Sequence, residues 1–208
     1  MTDYKAIHGK NILHVASDLD NAEGEGQIWF NTTSNDYKTI VKVAGAWATG
    51  GDLSAAKYSL TGANQATQTA GLIFSGHPAL TTTETYDGSS WTEVADLSTG
   101  RKEAGGAGTQ TAALCISGND TINVESWNGA SWTEGPNVNT QRENGGAAGI
   151  STSALLVAGY VSGRLAICES WDGSSWTETG DIPAARMYTA ATGATSSAVL
   201  QIGGNAPP

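Results

Sequence analysis

The sequence predicts an all-β fold assembled from repeated units of four short antiparallel strands. Three observations carry the prediction. A tryptophan returns at Trp47, Trp91, Trp132 and Trp176, at spacings of 44, 41 and 44 residues, each behind the phrase DGSSW or its variants NGASW and AGAW. Six residues after each Trp stands an aliphatic residue (Leu53, Leu97, Val138, Ile182), and four residues further a base: Lys57, Arg101, Arg142 and Arg186. Apolar runs that end in glycine (Gly76, Gly118, Gly159 and Gly203) keep nearly the same period, 42, 41 and 44 residues. No long stretch spaces its apolar residues as a helix does, which excludes stacked helical repeats.

Each element of the unit has a physical reason. After the base comes a small-residue stretch (GGAG, GGAAG, TAATG), suited to strands that crowd together near an axis. A Thr/Ser/Gln turn leads into the apolar run, short enough for a buried strand. A loop follows, then a strand ending in Glu-x-aromatic: Glu84 and Tyr86, Glu125 and Trp127, Glu169 and Trp171. Asp-Gly or Asn-Gly then turns the chain into the Trp strand, because such hairpins need residues that tolerate positive φ. Four strands in about 42 residues make one blade of a β-propeller. The units run over about 54–97, 98–138, 139–182 and 183–208, the last completed by 27–53. The Trp47 strand lacks the two strands that should precede it, and the last unit lacks a Trp strand. The expected fold is therefore a propeller of about four blades closed by the N-terminal strands. Donation of those strands to a neighbouring copy is the alternative.

The order of these features resembles the kelch repeat. IPAARMYTA (Ile182 to Ala190) is similar to its proline-x-x-arginine opening, and VLQIGG (Val199 to Gly204) to its diglycine signature. The other units keep only SG or AG there. The resemblance covers about residues 39–204. Residues 1–26 stand outside it as an N-terminal arm, whose acidic run (Asp18, Asp20, Glu23, Glu25) reads as a solvated linker. As a calcium loop it would have Ala22 in a ligand position and Gly24 out of place. The segment GQIWFNTTSNDYKTIVKVAGAW (Gly26 to Trp47) reads as a strand, a polar turn and an alternating strand. It resembles the G-x-[ILV]-W-[FY]-N-T-T hairpin of bacteriophage tail and fibre proteins. That resemblance implies a virion protein, with the arm docked on other tail subunits and the propeller displayed or bracing the tail. It also implies a homo-oligomer in the assembly, and contact with the host surface. A lectin-like propeller that recognises a host glycan is the second expectation.

Charge and chemistry narrow the partners further. The formal net charge of −10 opposes phosphate backbones and anionic lipid heads, so neither nucleic acid nor membrane insertion is expected. The N-terminus, MTDYKAIHGK, lacks the apolar core of a signal peptide, so synthesis in the host cytoplasm is expected. Cys115 and Cys168 lie in apolar runs and read as buried free thiols. His8, His14 and His77 are scattered without metal-ligand spacing, and no serine sits in a nucleophile elbow. The expectation is no enzyme, no metal and no cofactor. The four bases have two readings: a ring gripping an anion, or ion pairs with Glu84, Glu125 and Glu169. The tryptophans read as packing between blades, as do Tyr86, Trp127 and Trp171. Specificity is expected in the loops after each glycine, HPALTTT, NDTIN and YVSGRLAI, where His77, Asn119, Tyr160 and Arg164 are the candidate contact residues.

Overall fold

The computed structural model describes residues 13–15, 28–39, 50–119 and 121–206, and every regular element among them is a β-strand. The chain divides into two compact units, Met1–Thr49 and Gly50–Pro208.

In the first unit β1 (Leu13–Val15) pairs in parallel with β2 (Ile28–Asn31), which forms an antiparallel hairpin with β3 (Asp36–Thr39). The W-F-N-T-T segment thus runs down one strand into its turn. The Asn31 side-chain oxygen accepts the N–H groups of Thr33 and Ser34 at 2.8 and 3.0 Å, and Asn35 takes a left-handed φ of 58°. An Asx turn of this kind gives the chain a local alternative to extended structure. Trp47 and the acidic run of the arm lie outside the described residues.

The second unit holds three four-stranded antiparallel sheets in which the strands follow in chain order. The first comprises β4 (Thr61–Gly62), β5 (Gly71–Phe74), β6 (Thr83–Tyr86) and β7 (Trp91–Glu93). The second comprises β8 (Gly105–Thr109), β9 (Ala112–Ile116), β10 (Val124–Trp127) and β11 (Trp132–Gly135). The third comprises β12 (Gly146–Ile150), β13 (Ser153–Tyr160), β14 (Arg164–Trp171) and β15 (Trp176–Thr179). A fourth group has two strands only, β16 (Ala190–Thr195) and β17 (Ala198–Ile202). The blade-like unit expected from the repeat is thus present in full three times.

The recurring phrase makes the last hairpin of each sheet. The Asp87 carboxylate accepts the N–H groups of Ser89 and Ser90 at 2.8 Å each, and Asp172 repeats both bonds with Ser174 and Ser175. Asn128 does the same with Ala130 and Ser131 through its amide oxygen. The turn sets Tyr86 opposite Trp91, Trp127 opposite Trp132 and Trp171 opposite Trp176, with ring centroids 5.0 to 5.4 Å apart. Such cross-strand aromatic pairs stabilise a sheet directly.

The core lies between sheets. Leu72, Phe74 and Leu97 of the first pack against Ala113, Cys115 and Trp127 of the second. Trp132 meets Phe74 edge-on at 4.9 Å and donates its indole N–H to the Thr83 hydroxyl at 2.9 Å. One step on, Leu114, Ile116 and Val138 meet Ala147, Leu156, Trp171 and Trp176. For Trp127, Trp132, Trp171 and Trp176 the expected packing role is visible in these contacts. The small-residue strands stack side by side, β4 on β8, β8 on β12 and β12 on β16. A Cβ on Gly106 would lie 2.3 Å from the Gly62 carbonyl oxygen, so glycine there lets two inner strands approach. The Gln65 side-chain amide donates to the Gly193 carbonyl at 2.6 Å, which joins the first sheet to the two-stranded group.

Candidate functional site

The four bases follow the ion-pair reading at three positions. Lys57 pairs with Glu84, Arg101 with Glu125 and Arg142 with Glu169, all with buried side chains. Each pair ties the segment entering a sheet to the third strand of that same sheet. The carboxylates also accept backbone N–H groups from the preceding segment: Ser54 on Glu84, Ser98 and Thr99 on Glu125, Asn139 and Thr140 on Glu169. Buried charges persist when they are paired and otherwise satisfied in this way. Burial alone pushes the Glu84 carboxyl up. The Lys57 ammonium and the Ser54 N–H and hydroxyl outweigh that, and hold it below its ordinary value. Burial pulls the Arg142 guanidinium down, against the attraction of Glu169. The guanidinium groups also donate to carbonyls such as those of Asn123 and Ile167, so these buried bases are committed within their sheets.

The joint between consecutive sheets uses the repeat glycines. The N–H groups of Gly76, Gly118 and Gly159 donate to the carbonyls of Arg101, Arg142 and Arg186, each at 2.9 Å. Arg101 and Arg142 are therefore held by their own sheets through their side chains and by the previous sheets through their backbones. In the last group the matching glycine is Gly204, one residue beyond the expected Gly203. A Cβ at Gly204 would crowd the Met187 carbonyl and Arg186, as one at Gly159 would crowd Glu143 and Arg142, whereas Gly203 has open space. An irregularity in the β16–β17 register between Gly193 and Thr195 accounts for the shift. Arg186 itself makes no ion pair among the described residues, and donates to the Gly204 carbonyl at 3.2 Å.

The loop residues gather near the segments that follow the bases. His77 bridges to Tyr58 and stacks on its ring, with centroids 4.6 Å apart. Tyr160 bridges to Glu143, and Arg164 donates to Asn205, itself bridged to Met187. Asn119 takes a positive φ of 36° directly after Gly118. The segment 160–167, expected as an open loop, is instead mostly strand: β13 runs to Tyr160, β14 starts at Arg164, and residues 161–163 turn between them. Arg164 and Leu165 continue the ladder opposite Tyr160 and Gly159, so this segment presents less loop than its length implied.

A cavity of about 210 Å³ lies among these segments. Its wall takes the residue two places after each base: Ser59, Glu103, Asn144 and Tyr188. All four hold a left-handed backbone, with φ of 52°, 56°, 58° and 55°. A stair of backbone bonds links them: Glu103 N–H to Ser59 carbonyl, Asn144 to Glu103, Tyr188 to Asn144. The Asn144 amide donates to the Glu103 carboxylate at 3.1 Å. The Thr189 hydroxyl, in the same wall, is buried without a hydrogen-bond partner, and Tyr188 is 62% exposed. None of these residues was singled out by the repeat analysis. The available signal was that an unvarying base is followed, at a fixed distance, by four different side chains.

The thiols take no part in this arrangement. Cys115 and Cys168 are free and buried, and burial pushes the Cys115 thiol up to about 12. Comparison with protein-family models and with characterised proteins gives no match to this chain.

Proposed function

We propose that the chain is a recognition and display module of a bacteriophage virion: a four-bladed kelch-like propeller held to the tail by its N-terminal arm. The observation that carries the reading is a contrast within the repeat. Ion pairs, glycine joints and tryptophan wedges recur from sheet to sheet, while the residues at one end vary in every unit. A constant interior under a variable end is what a binding scaffold requires. Ring closure is supported by the Gln65–Gly193 bond and by a cavity wall drawn from all four groups of strands. The missing outer strands of the fourth blade would come from residues 27–53. The virion reading rests on the β2–β3 hairpin, which has the strand-turn-strand form of the tail-fibre motif it resembles.

Imaging virions that carry a tagged copy tests the assignment. Label on the tail is the expected result, and label confined to infected-cell cytoplasm overturns it. Solution mass tests the closure: a monomer supports self-completion of the fourth blade, and a stable multimer supports exchange of strands between copies.

A second reading, recognition of a host surface glycan, is favoured by the polar cavity with its exposed tyrosine. Glycan-array binding by the purified chain supports it, and a flat array counts against it.

A further inference from the structure

We infer that the cavity ringed by Ser59, Glu103, Asn144 and Tyr188 binds a single neutral pyranose ring, the terminal residue of a glycan. The inference deepens the glycan reading above and rests on it. It moves the contact from the loops to the ring of residues that follow the bases.

Size sets the first limit. At about 210 Å³ the cavity is below the roughly 300–1,000 Å³ of sites for drug-sized molecules, so it admits one ring rather than a chain. Charge sets the second. Glu103 is the one charged side chain in the wall, while Lys57, Arg101 and Arg142 are committed to glutamates. A carboxylate- or phosphate-bearing sugar would meet Glu103 and a net charge of −10 with no cation in the wall to offset them.

The polar groups fit hydroxyls in number and kind. One Glu103 oxygen accepts from the Asn144 side-chain amide, which fixes both side chains and leaves the other Glu103 oxygen and the Asn144 side-chain oxygen as acceptors. Two adjacent acceptors held by one hydrogen bond suit the donors of a vicinal diol. The Thr189 hydroxyl supplies a buried polar group that lacks a partner among the described residues, and such a group calls for one. The Ser59 side chain stands in the same wall. Tyr188 offers a ring face at the opening, of the kind that covers the apolar face of a pyranose. The backbone points the same way. Ser59, Glu103 and Tyr188 occupy a left-handed conformation that glycine would adopt at lower cost, so the fold keeps side chains there against that preference.

Saturation-transfer NMR and calorimetry on the full chain test the proposal. The probes are methyl hexopyranosides, an N-acetylhexosaminide and a sialoside. The proteins are the native chain, Tyr188→Ala, Glu103→Gln, Thr189→Val and the loop variant Tyr160→Ala, each checked for an unchanged thermal melt. A neutral pyranoside should bind the native chain. Its affinity should fall about tenfold or more in Glu103→Gln, the scale of one lost charge-assisted hydrogen bond, fall also in Tyr188→Ala through the lost ring face, and hold in Tyr160→Ala. The conservative Thr189→Val should also weaken it. Glycan binding that survives the ring variants but is lost in Tyr160→Ala overturns this site and leaves the glycan reading standing. Preference for the sialoside overturns the neutral class. A native chain that binds no sugar by NMR or on an array overturns both.

Discussion

The second and third sheets and the two-stranded fourth group start from the same sequence register and end in different environments. Arg101 and Arg142 are fully buried against glutamates, whereas Arg186, at the same place in the repeat, has only a carbonyl. The pairings Gly105–Ile116, Gly146–Val157 and Ala190–Ile202 put three aliphatic residues at one position. Ile116 is 0% exposed, Val157 2% and Ile202 49%. The first two strands of a unit are therefore not what buries its core. Burial comes with the third strand, which brings the glutamate, and the fourth, which brings the tryptophan wedge.

That comparison is tested most severely at the ion pairs. Glu169→Gln leaves the Arg142 guanidinium buried without its counter-charge, and should cost about 3–5 kcal/mol in urea unfolding. Arg186→Met should cost under about 1 kcal/mol, the range of a weakly coupled charge. An equal loss at both sites would mean that Arg186 has a carboxylate partner outside the described residues, and the contrast would fall. Replacing both members, Arg142→Met with Glu169→Leu, should recover much of the single-variant loss, because no charge is then left unpaired.

Core truncation sharpens the same contrast. Ile116→Ala removes a fully buried side chain, and should cost about 2–5 kcal/mol. Ile202→Ala should stay within about 0.5 kcal/mol where its strand is open, as substitutions at exposed positions do, and should approach the Ile116 loss where residues 27–53 complete the blade. A large effect at Ile202 would show that its strand is covered in solution.

These outcomes also mark where the sequence was informative. The bases, the Glu-x-aromatic strands and the DGSSW turns were legible because each depends on residue type at fixed spacing. The glycine joint was legible three times and displaced once, since a register irregularity near Gly193 moves the role from Gly203 to Gly204 without changing composition. Segment 160–167 was misread as loop because Ser162 and Gly163 look like turn residues whether they end a short hairpin or open a long one. The ring of Ser59, Glu103, Asn144 and Tyr188 was hidden for a different reason. Its members share a backbone conformation, not a chemistry, and only Asn144 belongs to a type that favours it.

The glycines give a smaller test. Gly118 holds φ at 90°, and a Cβ there would sit 2.6 Å from the Lys102 carbonyl oxygen; Gly203 holds 65° with open space around it. Gly118→Ala carries a steric clash in addition to its backbone strain, so its melting temperature should fall further than that of Gly203→Ala. Equal shifts would mean that Gly203, and not Gly204, fills the joint position in the fourth group.

The smallest expected effect separates the two acidic turns from the neutral one. Asp87 and Asp172 are held at about 2 by the N–H and hydroxyl groups of the two serines that follow each. The ordinary aspartate value is about 3.9. The folded state therefore binds the proton less readily than the unfolded chain does. The stability these turns supply is complete above about pH 4, and is lost as pH falls towards about 2. Asn128 makes the same backbone bonds with an amide that does not titrate, so its turn contributes nothing to that slope. Carboxyl-carbon NMR titration should show Asp87 and Asp172 still ionised well below the ordinary aspartate value. The pair Asp87→Asn and Asp172→Asn should leave stability near pH 7 almost unchanged while flattening its acid dependence. An acid slope that persists in that double variant would move its origin from the turns to the buried glutamates, of which Glu84 is likewise held below its ordinary value.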